Sequence, residues 1–155
     1  MFTEANLESH AITLLQQLGW QYTHGKTIAP HGETQWRQKD DEVIFVPLLR
    51  DAISRLNPQL PPSAVEEAVA MVCGSELGGL PEQNKQAYQK LKDGIKLSYQ
   101  QDNQTVYDKV QLVDFYDPQN NRFDVVNQLV IKGRRGKRVP DVIPVSYTHL
   151  RAHET

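Results

Sequence analysis

The sequence predicts an α/β (α+β) domain with a mixed sheet flanked by helices, on three observations. Apolar residues recur at helical spacing up to about residue 93. The period changes to alternation just after Gly94. Clusters of turn-forming residues then divide the second half into short strands. The 155 residues, 39% hydrophobic and 23% charged, suit one globular domain around one core. No internal repeat or clear linker divides them.

In chain order, Leu7, Ala11, Leu14, Leu15 and Leu18 predict a helix over 4–18, capped by Thr3 and stopped at Gly19. Trp20 and Tyr22 alternate with Gln21 and Thr23, which predicts a short strand. His24 to Glu42 is polar, with Gly25, Pro30 and Gly32, and is expected to be a long surface loop, followed by a second short strand at Val43–Val46. Pro47 suits the first turn of a helix that carries Leu48, Leu49, Ala52, Ile53 and Leu56 inward and stops before Asn57-Pro58. Pro61-Pro62 lead into another helix, with Ser63 and Glu66 spaced as a capping box and Val65, Ala68, Val69 and Val72 as its apolar face. Gly74, Gly78 and Gly79 break it. A fourth helix is expected over Glu82–Lys92, ending at Asp93-Gly94.

Beyond Gly94, Ile95, Leu97 and Tyr99 share one face and Gln101 to Gln104 make a turn. A strand over Thr105–Phe115, a turn at Asp117–Asn121 and a strand from Phe123 to about Lys132 complete a predicted meander within one sheet.

Net charge is −2, so the molecule as a whole does not attract nucleic acid and any DNA contact must come from a local patch. The first ten residues have neither the basic nor the apolar region of a signal peptide, and no apolar run approaches the ~20 residues of a membrane span. Cys73 is the only cysteine, which excludes an intrachain disulfide and points to a reducing, cytoplasmic compartment with no membrane partner.

Two segments carry possible chemistry. Lys132, Arg134, Arg135, Lys137 and Arg138 place five basic residues within seven, interleaved with Gly133 and Gly136. Such a loop engages phosphates, or is simply a solvated hairpin tip. Pro140-Asp141 then opens the apolar run Val142-Ile143 beside it. A carboxylate there suits Mg²⁺, a hard ion that takes oxygen ligands. Turn chemistry explains most isolated Pro-Asp pairs equally well. His149 and His153, four apart, have the spacing of a metal pair on a helix but no third ligand nearby.

Several segments, taken in order, resemble type I restriction endonuclease R subunits. They are Phe2-Thr3-Glu4-Ala5-Asn6-Leu7-Glu8 with Leu18-Gly19-Trp20, Leu56-Asn57-Pro58 with Leu60-Pro61-Pro62, and Asp93-Gly94-Ile95. The longest runs from Asp108 to Phe115 and on through Asp117–Asn121 to Val125-Val126-Asn127-Gln128. Arg138-Val139-Pro140-Asp141-Val142 resembles that family's Arg-x-Pro-Asp strand. The resemblance implies a restriction-endonuclease-like fold of the PD-(D/E)xK kind that cuts DNA with Mg²⁺. It marks Asp141 as the first metal-binding and catalytic aspartate, and Glu8 as an accessory acid. Read on its own, Glu8 is a solvent-facing glutamate near a positive helix end. The resemblance also implies modification and specificity subunits as partners, with ATP used by motor domains further along the family's chain.

The sequence departs from that pattern after Asp141. An apolar strand, a turn and a strand bearing acid-x-Lys should follow, but the only later acid is Glu154, followed by Thr155. Val145 to Thr155 resembles translated sequencing-adapter read-through. The organisation expected is therefore a partial nuclease domain over 1–143, truncated after the strand that starts at Asp141, with a non-native tail over 144–155. That fragment is expected to be inactive, while its parent cleaves unmodified foreign DNA. The alternatives are a non-catalytic DNA- or protein-binding module using the 132–138 loop, or a plain structural domain in which Asp141 caps a turn.

Overall fold

The computed structural model describes residues 1–74 and 78–146, and its elements make an α+β fold. The chain divides into two compact units, one of Met1–Val46 with the chain from Arg122 onward, the other of Pro47–Asn121. The helices are α1 (Glu4–Gln17), α2 (Gly25–Ile28), α3 (Val46–Leu56), α4 (Pro62–Cys73) and α5 (Leu80–Asp93). The strands are β1 (Gln21–His24), β2 (Ile95–Gln101), β3 (Gln104–Val110), β4 (Phe123–Asn127), β5 (Ile131–Gly133), β6 (Gly136–Arg138) and β7 (Val142–Ser146).

In the first unit, Thr3 caps α1 by accepting the Asn6 N–H at 3.2 Å, and Gly19 takes the positive φ (92°) that follows the helix. The inward face differs from the expected leucine stripe. Ile12 is buried and Glu8, Ala11 and Leu15 are half-buried, while Leu7, Leu14 and Leu18 stay exposed. Positions 8, 12 and 15 form their own i, i+4, i+7 row, about one residue on from the expected one. That rotation turns Glu8 inward.

β4 is the centre of a three-stranded mixed sheet, parallel to β1 (Gln21↔Asp124 to His24↔Asn127) and antiparallel to β7 (Phe123↔Ser146 to Asn127↔Val142). A central strand covered on both faces reads as a continuous apolar run, and Val125 and Val126 are fully buried. Pro144 is tolerated because, among the described residues, β7 is an edge of this sheet. Val145 of β7 is buried too. The expected tail over 144–155 thus begins within β7, and its residues from 147 on, with His149 and His153, lie outside the described residues.

The expected loop over 24–42 contains α2, capped by His24, whose Nδ1 accepts the Lys26 N–H at 3.1 Å. The expected strand at 43–46 is reduced to a single bridge at Ile44, because α3 already begins at Val46. The segment between is held from inside. The buried Arg37 side chain donates to the carbonyl oxygens of Asp40 (2.9 Å) and Val130. Burial works against its charge and lowers its pKa; the nearby Asp40, Glu42 and Asp41 carboxylates oppose that shift.

A second buried ion lies on β4. Asp124, 1% exposed, accepts a bidentate pair from Arg122 at 2.8 and 3.0 Å, and the guanidinium lies 5.3 Å from the centre of the Trp36 ring. Removing the cation would leave a buried carboxylate unpaired. Arg122→Met is expected to destabilise the fold by about 3 kcal/mol, read from urea unfolding. A change within 0.5 kcal/mol, roughly the surface-substitution range, would show the carboxylate to be solvated.

In the second unit, α3 buries Leu48, Leu49, Ala52 and Ile53, and α4 buries Ala64, Val65, Ala68 and Val69. The expected capping box does not form. α4 starts two residues earlier, with Pro61 as its N-cap and no side-chain cap, and Glu66 instead receives a two-point bond from Arg50 (2.5 and 3.2 Å). That bond holds the Glu66 carboxyl below its usual pKa. β2 and β3 pair through an Asp102-Asn103 turn with both φ positive, as a two-residue hairpin requires.

The predicted meander is not one sheet. β2 and β3 form a sheet of their own, and β4 belongs to the three-stranded sheet. β3 also stops at Val110 rather than Phe115, because side chains take over its backbone groups. Asn57 donates to the Gln111 carbonyl and accepts the Gln111 N–H, both at 2.8 Å. Asn121 likewise accepts the Asp114 N–H at 2.9 Å and donates to the Asp114 carbonyl at 2.8 Å, and the Asp114 side chain captures the N–H groups of Tyr116 and Asp117 at 3.0 and 2.9 Å. Bonds from Asp117 and Asn120 hold the Asp114 carboxyl below the usual aspartate range.

Candidate active site

Where β4 ends, the chain leaves the sheet with two consecutive carboxamides, Asn127 and Gln128. Asn127 is the last paired residue, opposite His24 and Val142. Gln128 has φ 51°, an uncommon conformation for a residue other than glycine, and turns the chain away. β7 returns antiparallel, so Asp141, immediately before it, arrives beside this turn. The Gln128 N–H donates to the Asp141 carbonyl at 3.3 Å. α1 brings Glu8 to the same place.

The contacts form one chain of hydrogen bonds. The Tyr22 hydroxyl donates to Asn127 Oδ1 (2.9 Å), and Asn127 Nδ2 donates to Glu8 Oε1 (2.8 Å). Gln128 Nε2 donates to Glu8 Oε2 (3.2 Å) and to Asp141 Oδ1 (3.3 Å). Two carboxylates far apart in sequence thus share one nitrogen. Glu8 is half-buried and is not the solvent-facing helix glutamate expected from its local pattern; Asp141 is exposed. Among the described residues no lysine or arginine pairs with either acid.

Close packing keeps the amide pair in place. A Cβ on Gly25 would lie 2.6 Å from the Asn127 carbonyl oxygen, 2.7 Å from that of Gln128 and 2.7 Å from the Leu129 Cα. Only glycine lets the start of α2 lie against this turn.

The basic segment is a short hairpin rather than a loop, with Ile131 opposite Arg138, Lys132 opposite Lys137 and Gly133 opposite Gly136. Lys132, Arg134, Arg135, Lys137 and Arg138 are all exposed. Lys132 is anchored at its base, its Nζ 3.3 Å from Asp40 Oδ2 and its N–H on the Asp40 carbonyl at 3.0 Å. Hairpin and acid cluster are joined by residues 139–140. Among the described residues no hydrogen bond or ion pair links the hairpin's side chains to Glu8 or Asp141.

The donor chemistry fits a hard divalent cation. Two carboxylates converge on a point now facing only a neutral N–H₂ group, and such an ion takes one or two carboxylates and keeps several waters. Among the described residues no group of three or more His, Cys, Asp or Glu supplies a fuller cage. Asn127, Gln128, Tyr22 and Gly25 were not marked by sequence reasoning as parts of a site. The available signal was two adjacent amides closing the apolar run Val125-Val126.

The family model described as the type I restriction enzyme R protein N terminus matches residues 1–145. The type I restriction enzyme HindI endonuclease subunit of Haemophilus influenzae is 42% identical over 144 residues, which cover 92% of this chain and 14% of that protein. The MjaIXP endonuclease subunit of Methanocaldococcus jannaschii is 27% identical over 126 residues, 81% of this chain and 12% of its own. The chain thus spans a small fraction of the length of these relatives. Among the described residues no helix is long and apolar enough to cross a membrane. With the matched region running from before Glu8 to beyond Asp141, the chain belongs to the family of type I restriction enzyme R protein N termini.

Proposed function

We propose that this chain is the N-terminal nuclease region of a type I restriction endonuclease R subunit, of the PD-(D/E)xK kind, whose parent cleaves unmodified foreign DNA in the cytoplasm. The observation that carries the reading is the convergence of Glu8 and Asp141 on one nitrogen, in a chain of this family. Asp141 and Glu8 would hold Mg²⁺. When bound, the ion supplies Lewis-acid polarisation of a phosphoryl oxygen and a more acidic water. Asn127 and Tyr22 keep Glu8 aimed inward. The basic hairpin meets the phosphate backbone, a sequence-independent contact. ATP would serve motor domains of the parent, and modification and specificity subunits would complete the assembly and choose the DNA site.

The chain itself has no acid-x-Lys after Asp141. It therefore offers too few ligands to hold an ion firmly, and no lysine to sit beside the attacking water. Plasmid incubated with the 155-residue chain and Mg²⁺ is expected to stay intact, with or without ATP. The longer protein, reassembled with its partner subunits, should cut the same plasmid. Asp141-dependent nicking by the short chain would mean that the acid-x-Lys pair is dispensable or is replaced by residues within it. Weak DNA binding by the chain should fade steeply with salt. Replacing Arg134 and Arg135 by alanine should reduce the log–log salt slope by roughly 2. An unchanged slope would remove the hairpin from the DNA interface.

A further inference from the structure

We propose that Gln128 is a positioning residue for the metal site, its carboxamide holding Glu8 and Asp141 converged on one point. This rests on the reading of the two acids as cation ligands and extends it to a residue that is not an acid.

An amide nitrogen carries two hydrogens, and here there is one acceptor for each, Glu8 Oε2 at 3.2 Å and Asp141 Oδ1 at 3.3 Å. Both bonds are at or just beyond the long end of the normal range, so a divalent ion can displace the amide. Without an ion, two carboxylates turned toward each other repel, and a neutral donor between them offsets that repulsion. The backbone at Gln128 reinforces the grip, because its N–H holds the Asp141 carbonyl at 3.3 Å. Gln128 therefore fixes Asp141 from both main chain and side chain.

The conformation of Gln128 gives a second, independent argument. Its φ of 51° is one that glycine adopts freely and asparagine tolerates. If the turn alone mattered, either residue would serve it better. Glutamine accepts the strained backbone and supplies a reach that neither of them has.

The test is Mn²⁺ binding to the 155-residue chain, followed by electron paramagnetic resonance, with the thermal midpoint measured alongside. Gln128→Gly removes the amide and relaxes the backbone. Gln128→Asn keeps an amide suited to this conformation but is one methylene too short to span both acids. Each variant is expected to keep a thermal midpoint at or above that of the native chain and to lose Mn²⁺ affinity roughly tenfold, as loss of a ligand-orienting partner does. Native affinity in Gln128→Gly would overturn the proposal and leave the two-acid site standing. Affinity lost only in proportion to folded protein would also overturn it, since that is a structural role. Glu8→Gln and Asp141→Asn test the underlying reading. If Mn²⁺ binding is indifferent to both, or the native chain shows none even at Mn²⁺ concentrations high enough to fill a weak two-carboxylate site, the metal site itself is misassigned and the proposal falls with it.

Discussion

Asp141→Ala in the longer parent protein is expected to reduce DNA cleavage by roughly 10³-fold or more, the worth of the several kcal/mol a bound ion supplies to developing charge. DNA binding and subunit assembly should stay within a factor of about two. Asp141 is exposed and precedes β7, so its carboxylate contributes little packing and its loss should not unfold the sheet. The residue's backbone carbonyl, which receives the Gln128 N–H, survives the substitution. Plasmid cleavage under single-turnover conditions, paired with a filter-binding assay, separates the two effects. Undiminished cutting would place the first metal ligand elsewhere. Cutting and binding lost together would show that Asp141 acts through folding.

Gly25→Ala should destabilise the chain by about 2–3 kcal/mol, the upper part of the range for overpacked sites. Helix propensity alone argues the opposite, since Gly25 opens α2 and alanine is the better helix former. The deciding fact is where the new methyl would sit, under 3 Å from three backbone atoms of residues 127–129. Backbone atoms there cannot swing aside like the end of a long side chain. Asn127 and Gln128 would have to move, and with them the grip on Glu8. Urea unfolding gives the stability change, and Mn²⁺ affinity should fall in the same variant. A midpoint equal to or above that of the native chain would mean the turn is pliant, and would remove the packing argument.

Much of this could be read from residues directly. The capped first helix, the apolar faces of α3 and α4 and the hairpin turn at 102–103 depend on local periodicity and turn chemistry, which neighbouring residues express. Failures occurred where distant partners decide. Asn57 and Asn121 end β3 early by bonding the backbone of Gln111 and Asp114, which the apolar pattern alone assigned to a strand. The helical period of α1 was clear, yet which of two adjacent rows faces inward depends on the sheet beneath it. That choice decides whether Glu8 meets solvent or Asn127. Asp141 and Glu8 were marked through resemblance to a family. Gln128 left no such mark, because its role lies in a backbone angle and two side-chain bonds.

The parallel pairing of β1 with β4 joins segments separated by the whole 47–121 unit. Closing so long a loop costs entropy before any ladder bond forms, whereas the hairpins and helices between depend on near neighbours. During synthesis, Glu8 emerges first and waits while the intervening unit is made. Asp141 arrives only when β7 docks on β4, so the contact of Glu8 and Asp141 through Gln128 assembles late and all at once. A nascent chain thus carries both acids, but they do not converge until this sheet has closed.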